Sequence, residues 1–195
     1  MTLPNTAITI AVSALLAVPA LAQTTSSEVQ RDVNQQQRIE NGLQSGQLST
    51  KEAAKLEKGE ANIEKMESKA EANGNLGNAE KQRIQRAQNK ESQEIYRDTH
   101  NAQTGNPNSA SSQRMQADVQ RNVNQQQRIE QGVQSGQLTN REVGNLEKGQ
   151  ANVDRKEAHA GANGHVSANE QRNIQADENH QSRKIHKEKH NERVR

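Results

Sequence analysis

The chain carries one sequence unit twice. VQRDVNQQQRIENGLQSGQL, starting at Val29, aligns at an offset of 90 residues with VQRNVNQQQRIEQGVQSGQL, starting at Val119, and about half of the 73 positions in 29–101 and 119–191 are identical. Whatever fold one copy takes, the other must be able to take. Between them runs AQTGNPNSASSQRMQAD, rich in Gly, Asn, Ser and Ala with one Pro, the composition of a flexible linker.

Within each copy a shorter pattern recurs, Gly-x-(Leu or Val)-x-x-x-Glu, at Gly46 to Glu52, Gly74 to Glu80, Gly136 to Glu142 and Gly164 to Glu170. The Gly can close one helix in a left-handed conformation, and a Ser or Thr then opens the next. Ser49, Thr139 and Ser167 each precede a Glu by three residues, the capping box in which hydroxyl and carboxylate satisfy each other's free backbone amides. Gly77 replaces the hydroxyl in the remaining turn, which is therefore the weakest start. Leu48, Leu76, Leu138 and Val166 are placed to tuck under the turns.

These turns predict helices over 26–43, 50–72 and 79–99 in the first copy and 116–133, 140–162 and 169–189 in the second. The middle helix sets Leu56, Ile63 and Ala70 seven apart with Ala53 and Met66 beside them, one narrow apolar stripe. Val29, Val33, Ile39 and Leu43 mark the first helix, and Ile84, Ala87 and Ile95 the third. Three such stripes joined by short turns predict a small antiparallel bundle per copy. Gly59 and Gly149, mid-helix, each cost about 1 kcal/mol relative to Ala and either permit close helix approach or simply weaken the helix. The expected fold is all-α: two tandem three-helix units after a signal peptide, with a leader over 1–22, repeat 1 over 26–101, a linker over 102–115 and repeat 2 over 116–195.

Only 29% of the chain is apolar and Tyr96 is its single aromatic residue, so the core must be small and tertiary stability modest. A net charge of +2 and the lack of aromatic platforms argue against nucleic-acid binding. The basic tail from Arg183 to Arg195, which also holds Glu188 and Glu192, reads as a solvated helical face.

Residues 7–22, AITIAVSALLAVPALA, are an apolar run ending in Ala20-Leu21-Ala22, the small-x-small pattern read by signal peptidase. The run is short for a membrane span and QTTSSE follows it without a basic flank, so cleavage before Gln23 and a periplasmic or secreted, membrane-free product are expected. The n-region MTLPNT is unusual in having the amino terminus as its only positive charge. The absence of cysteine excludes disulfides, a lipid-modified cysteine and thiol chemistry.

Five of the six histidines fall in the second copy: His159, His165, His180, His186 and His190. His186 and His190 stand four apart on a predicted helix, so both imidazoles face one side at a spacing that can chelate Zn, Cu, Ni or Co. Ser182, Asn179 and Arg193 share that face, so further ligands must come from His159, His165, His180 or another chain. The first copy has Tyr96 in place of His186 and Lys69, Asn75 and Lys90 in place of the other three, so such a site would be unpaired. The competing reading is that these are solvated side chains on a polar helix.

The turns also resemble the second half of an EF-hand loop. The places where calcium needs oxygen ligands carry Asn41, Leu43, Ser45; Lys69, Glu71, Asn73; Gln131, Val133, Ser135; and His159, Gly161, Asn163. These are poor calcium ligands, and the capping box already explains the Glu.

No strained nucleophile elbow, phosphate-binding Gly-rich loop or HExxH motif is present, and a small core gives little basis for a dry active site, so no enzyme is expected. The stretches RIEQGVQSGQLTNREVGNLEKGQANVDRKEAHA and GHVSANEQRNIQ resemble exported proteobacterial helical proteins with GQLT-type and ADGHVS-type turns. The resemblance covers both copies, implies an envelope location and a helical unit, and carries no catalytic residues. Asn73 and Asn163 depart from it, since an acidic residue stands before the second Gly in that pattern. The expected function is noncatalytic binding or scavenging of a divalent transition metal (Zn, Cu, Ni, Co or Mn) by the five histidines; the alternative is an envelope protein-interaction module using two repeats for bivalent binding.

Overall fold

The structure is a computed structural model that describes residues 20–192, with side chains from residue 25. The predicted leader, residues 1–22, lies outside the residues whose side chains are described. The described residues are all-α, in the order α1 (Ala20–Ser45), α2 (Thr50–Glu71), α3 (Asn78–Thr99), α4 (Ala110–Gln134), α5 (Asn140–Gly161) and α6 (Ala168–Lys189). None of these helices is long and apolar enough to cross a membrane.

The turns form as their chemistry dictates. Gly46, Gly74, Gly136 and Gly164 take positive φ of 76°, 80°, 74° and 83°, and no other residue type does so among the described residues. Ser49, Thr139 and Ser167 cap α2, α5 and α6 with complete capping boxes. At α3 only the return half exists: Glu80 accepts from the Gly77 amide at 2.9 Å, and Gly77 has no side chain with which to answer. Leu48, Leu138 and Val166 are fully buried beneath their turns and Leu76 nearly so.

The sequence reading placed a separate small bundle in each copy, and the packing differs. The heaviest helix contacts run between copies, α2 on α5 and α1 on α4, while α1 and α2 touch each other little. Both inter-copy pairs are antiparallel. A Cβ on Gly144, near the start of α5, would meet Glu71 Cβ at 2.9 Å at the end of α2, and one on Gly161 would meet Ala54 Cβ at 2.7 Å at the other end. Gln116, early in α4, donates to the Leu43 carbonyl late in α1 at 3.4 Å.

The physical reason is the thinness of each stripe. One copy offers too little apolar surface to enclose itself, and apposing two copies buries the stripes of both. The segment read as a linker, 102–115, joins this packing: α4 begins at Ala110, and the Gly105 amide donates to the Gly46 carbonyl at 2.8 Å.

The copies are related by an approximate two-fold. One apolar cluster contains Val29, Ile129, Val133, Leu138, Val143, Leu146 and Ile185; their partners at the 90-residue offset, Val119, Ile39, Leu43, Leu48, Ala53, Leu56 and Ile95, all lie together in a second, larger cluster. The third helix of each copy is fixed by the same polar bonds. Arg38 donates to Ser92 Oγ at 2.6 Å and its carbonyl at 3.1 Å, and Arg128 does the same to Ser182 at 2.7 and 3.1 Å.

Candidate metal centre

Along α1 the buried residues include Val29, Asp32, Val33, Gln36, Ile39 and Leu43, and along α4 they include Val119, Asn122, Val123, Gln126, Ile129 and Val133. In both helices amides and acids, Asp32 and Gln36 on α1 and Asn122 and Gln126 on α4, are buried among these apolar residues. The middle helices meet this polar band with Glu57, Glu60, Glu64 and Glu67 from α2 and Glu147, Gln150, Asp154 and Glu157 from α5. At spacings of three and four residues, each set lies on one face of its helix, beside the Leu56–Ile63 or Leu146–Val153 stripe. The interior of the four-helix core therefore holds a layer of acids and amides among the apolar clusters.

Eight carboxylates of this layer, Asp32, Glu57, Glu60, Glu64, Glu67, Glu147, Asp154 and Glu157, are at most 2% exposed, and among the described residues no Lys, Arg or His is buried. An ionised carboxylate taken from water without a counter-charge is strongly disfavoured, so such a group either holds a proton or receives a cation. Burial pushes the Glu57 carboxyl up to about 8, reinforced by Glu91 and Asp118 and opposed by the Gln36 amide. It pushes Glu147 up to about 7 against the Gln126 amide. Asp32, Glu60, Glu64, Glu67, Asp154 and Glu157 are held well above the carboxylate range, first by burial and then by one another's charge.

Two groups of these acids converge. Asp32, Glu67 and Glu147 each place an oxygen within 4.8 Å of the others, and so do Glu57, Asp154 and Glu157. Side-chain amides bind them together. Gln88 from α3 donates Nε2 to Asp32 at 2.8 Å and Glu67 at 3.1 Å, and Asn122 donates Nδ2 to Asp154 at 3.1 Å and Glu157 at 2.8 Å. Gln126 donates to Glu64 at 2.8 Å and Glu147 at 3.1 Å, and its two-fold mate Gln36 donates to Glu57 at 3.0 Å and Asp154 at 3.4 Å. Glu64 and Asp154, themselves two-fold mates, hydrogen-bond carboxyl to carboxyl.

The amides spend their N–H groups on carboxylates: Gln36, Gln88, Asn122 and Gln126 each bury an oxygen that accepts no hydrogen bond from protein, as do both oxygens of Glu60. Each triad is thus flanked by further unused oxygen donors. This is the composition of a site for a hard cation, which takes six to eight oxygens from carboxylates and carbonyls.

The five histidines lie elsewhere. All are exposed, on or beside α5 and α6. His186 and His190 are brought together, with ring centroids 4.1 Å apart, and the His190 Nδ1 bonds the His186 carbonyl at 2.7 Å. The same arrangement recurs in the first copy with Tyr96 in the place of His186: Tyr96 and His100 stack at 4.1 Å and His100 Nδ1 bonds the Tyr96 carbonyl at 2.8 Å. The stack and the carbonyl cap therefore have a structural origin that needs no metal. His159 lines an open groove of about 750 Å³ between α5 and α6 that also includes Glu170 and Asp177. His165 and His180 join neither group.

The buried acids were not among the residues singled out from the sequence. The available signal was Glu57, Glu60, Glu64 and Glu67, spaced three and four apart on the same side of the helix as Leu56 and Ile63, with the same spacing in the second copy. Gly59 and Gly149 belong to this layer too. A Cβ at Gly59 would stand 2.0 Å from the Glu91 carboxyl and one at Gly149 would stand 1.9 Å from the Gln181 amide, so the missing side chain lets a polar group of the third helix lie across the middle one.

The chain matches no known protein family, no curated protein and no solved structure. The chemistry of the interior carries the functional argument alone.

Proposed function

We propose that the protein is an exported, noncatalytic helical protein that binds cations inside the bundle formed by its two repeats. The observation that carries this reading is the convergence of fully buried carboxylates into two triads with no buried positive side chain to balance them. The proposal keeps metal binding and moves the ligands from the histidines to Asp32, Glu67 and Glu147 and to Glu57, Asp154 and Glu157. It also changes the preferred ion. Imidazoles suit Zn, Cu, Ni and Co, whereas an all-oxygen set suits Mn or Ca. Calcium, disfavoured by the residues of the turns, is favoured by those of the interior.

Bivalent capture of an envelope partner across a flexible linker has less support, because avidity needs two tethered modules and here α2 packs on α5. A role as periplasmic or secreted buffer fits both the leader at 1–22 and a binding layer assembled from every central helix. The test is calorimetric titration of the mature chain with Ca, Mn and Zn after chelation. Binding of Ca or Mn that survives replacement of all five second-copy histidines and is lost in Glu147→Gln supports the reading; binding that follows the histidines overturns it.

A further inference from the structure

Resting on that reading, we propose that the interior holds two cations at unequal sites, and that the site of Asp32, Glu67 and Glu147 fills before the site of Glu57, Asp154 and Glu157. The two-fold maps Glu67 onto Glu157 and Glu147 onto Glu57, so both sites take these ligands from α2 and α5. They differ at the first helix. Asp32 supplies a carboxylate from α1, and its mate on α4 is Asn122, a neutral amide whose Nδ2 is already committed to Asp154 and Glu157.

The acid missing at Asn122 reappears across the layer, because Gln88 on α3 has Glu178 as its mate on α6. That exchange does not restore the second site. Glu178 is paired with the Arg121 guanidinium at 2.8 Å, whereas Asp32 is held by the Gln88 amide and by the Glu67 carboxyl, neither of which brings a positive charge. The second triad is completed instead by Asp154, which must also serve its carboxyl contact with Glu64. Each triad is bridged by one amide, Gln88 on Asp32 and Glu67 and Asn122 on Asp154 and Glu157, so the sites differ in charge: the place beside the second site is taken by Glu178 with the Arg121 cation on it, and the matching place beside the first by the neutral Gln88.

The sites also communicate. Glu147 of the first triad shares the Gln126 amide with Glu64, and Glu64 bonds Asp154 of the second. Charge placed at the first site reduces the negative field that draws an ion to the second, so filling is stepwise.

The experiment is native mass spectrometry for stoichiometry and calorimetric titration with Ca and, separately, Mn, on the full mature chain and on Asp32→Asn and Asn122→Asp. Each variant copies a residue that the other repeat already carries, and circular dichroism verifies that it folds. The expected result is two ions per chain in two steps, a first step weakened about tenfold or more by Asp32→Asn with the second little changed, and a second step strengthened by Asn122→Asp. One ion per chain, two equal steps, or an Asp32→Asn effect confined to the second step overturns the inference and leaves the interior reading standing. No uptake of either ion by the folded wild-type chain overturns both.

Discussion

The amide of Gln126 in the second repeat donates to the Glu64 carboxylate of the first at 2.8 Å, 62 residues away and fully buried. Its two-fold mate, Gln36, reaches Asp154 in the opposite direction. Neither bond can form within one copy, so the polar layer is complete only where both repeats are present.

An isolated second repeat, residues 116–192, is therefore expected to lose helix content as a monomer and to regain it at high concentration by pairing with itself across the surface that α1 and α2 normally cover. Circular dichroism over a concentration series with sedimentation analysis measures this. A concentration-independent, fully helical monomer would contradict the shared core.

The pH dependence of the chelated protein should run opposite to that of most proteins. Glu57 is raised from an ordinary 4.5 to about 8 and Glu147 from 4.5 to about 7. A folded state that holds its protons more tightly than the unfolded chain gains stability at low pH. This contribution is complete below 4.5, declines as the pH rises and is gone above about 8. Thermal melts in chelator should give a higher Tm near pH 5 than near pH 8, by roughly 5–10 °C. Equal or reversed values would show that the buried carboxyls do not carry raised affinities for protons.

Glu60→Gln should stabilise the chelated protein near pH 8 by about 1–3 kcal/mol in urea unfolding. Both Glu60 oxygens are buried without a donor, and its two-fold mate is already Gln150, so the substitution removes an unbalanced charge in a shape the fold accepts. A loss of stability would mean that Glu60 has a compensating partner.

Gly161→Ala should destabilise by about 1–3 kcal/mol even though Ala is the better helix former. The new Cβ would stand 2.7 Å from Ala54 Cβ and 3.2 Å from the Thr50 carbonyl, and the latter belongs to the rigid backbone of α2. Adding Ala54→Gly should recover part of the loss, and a double-mutant cycle by urea unfolding reads it. Additive effects would place the two helices further apart.

Much of the fold is legible in the chain because its turns are locally determined. Gly46, Ser49 and Glu52 set one helix end and the next helix start without help from distant residues, and the predicted middle and third helices fall within a residue or two of those observed. The partner of each helix is not local. Val29 to Leu43 reads as one narrow stripe whichever helix covers it, and the choice of α4 depends on the summed burial of both copies. The site is only partly legible for the same reason: the spacing of Glu57 and Glu64 puts them beside Leu56 and Ile63, but they converge into a site only when α5 brings Glu147 and Asp154 against them. The histidines stood out by their uneven distribution, which is a property of composition, whereas the acids are spread evenly and become a site only through packing.

The central claim is that cations stabilise this interior. The most direct measurement is thermal unfolding of the mature chain near pH 7.5, in chelator and then in a large excess of Ca or Mn. The account predicts that Tm rises by roughly 5–10 °C with the ion, because a ligand bound only by the folded state adds its binding free energy to stability, and that Glu57→Gln together with Glu147→Gln removes most of the rise. Superimposable melts with and without either ion would contradict it.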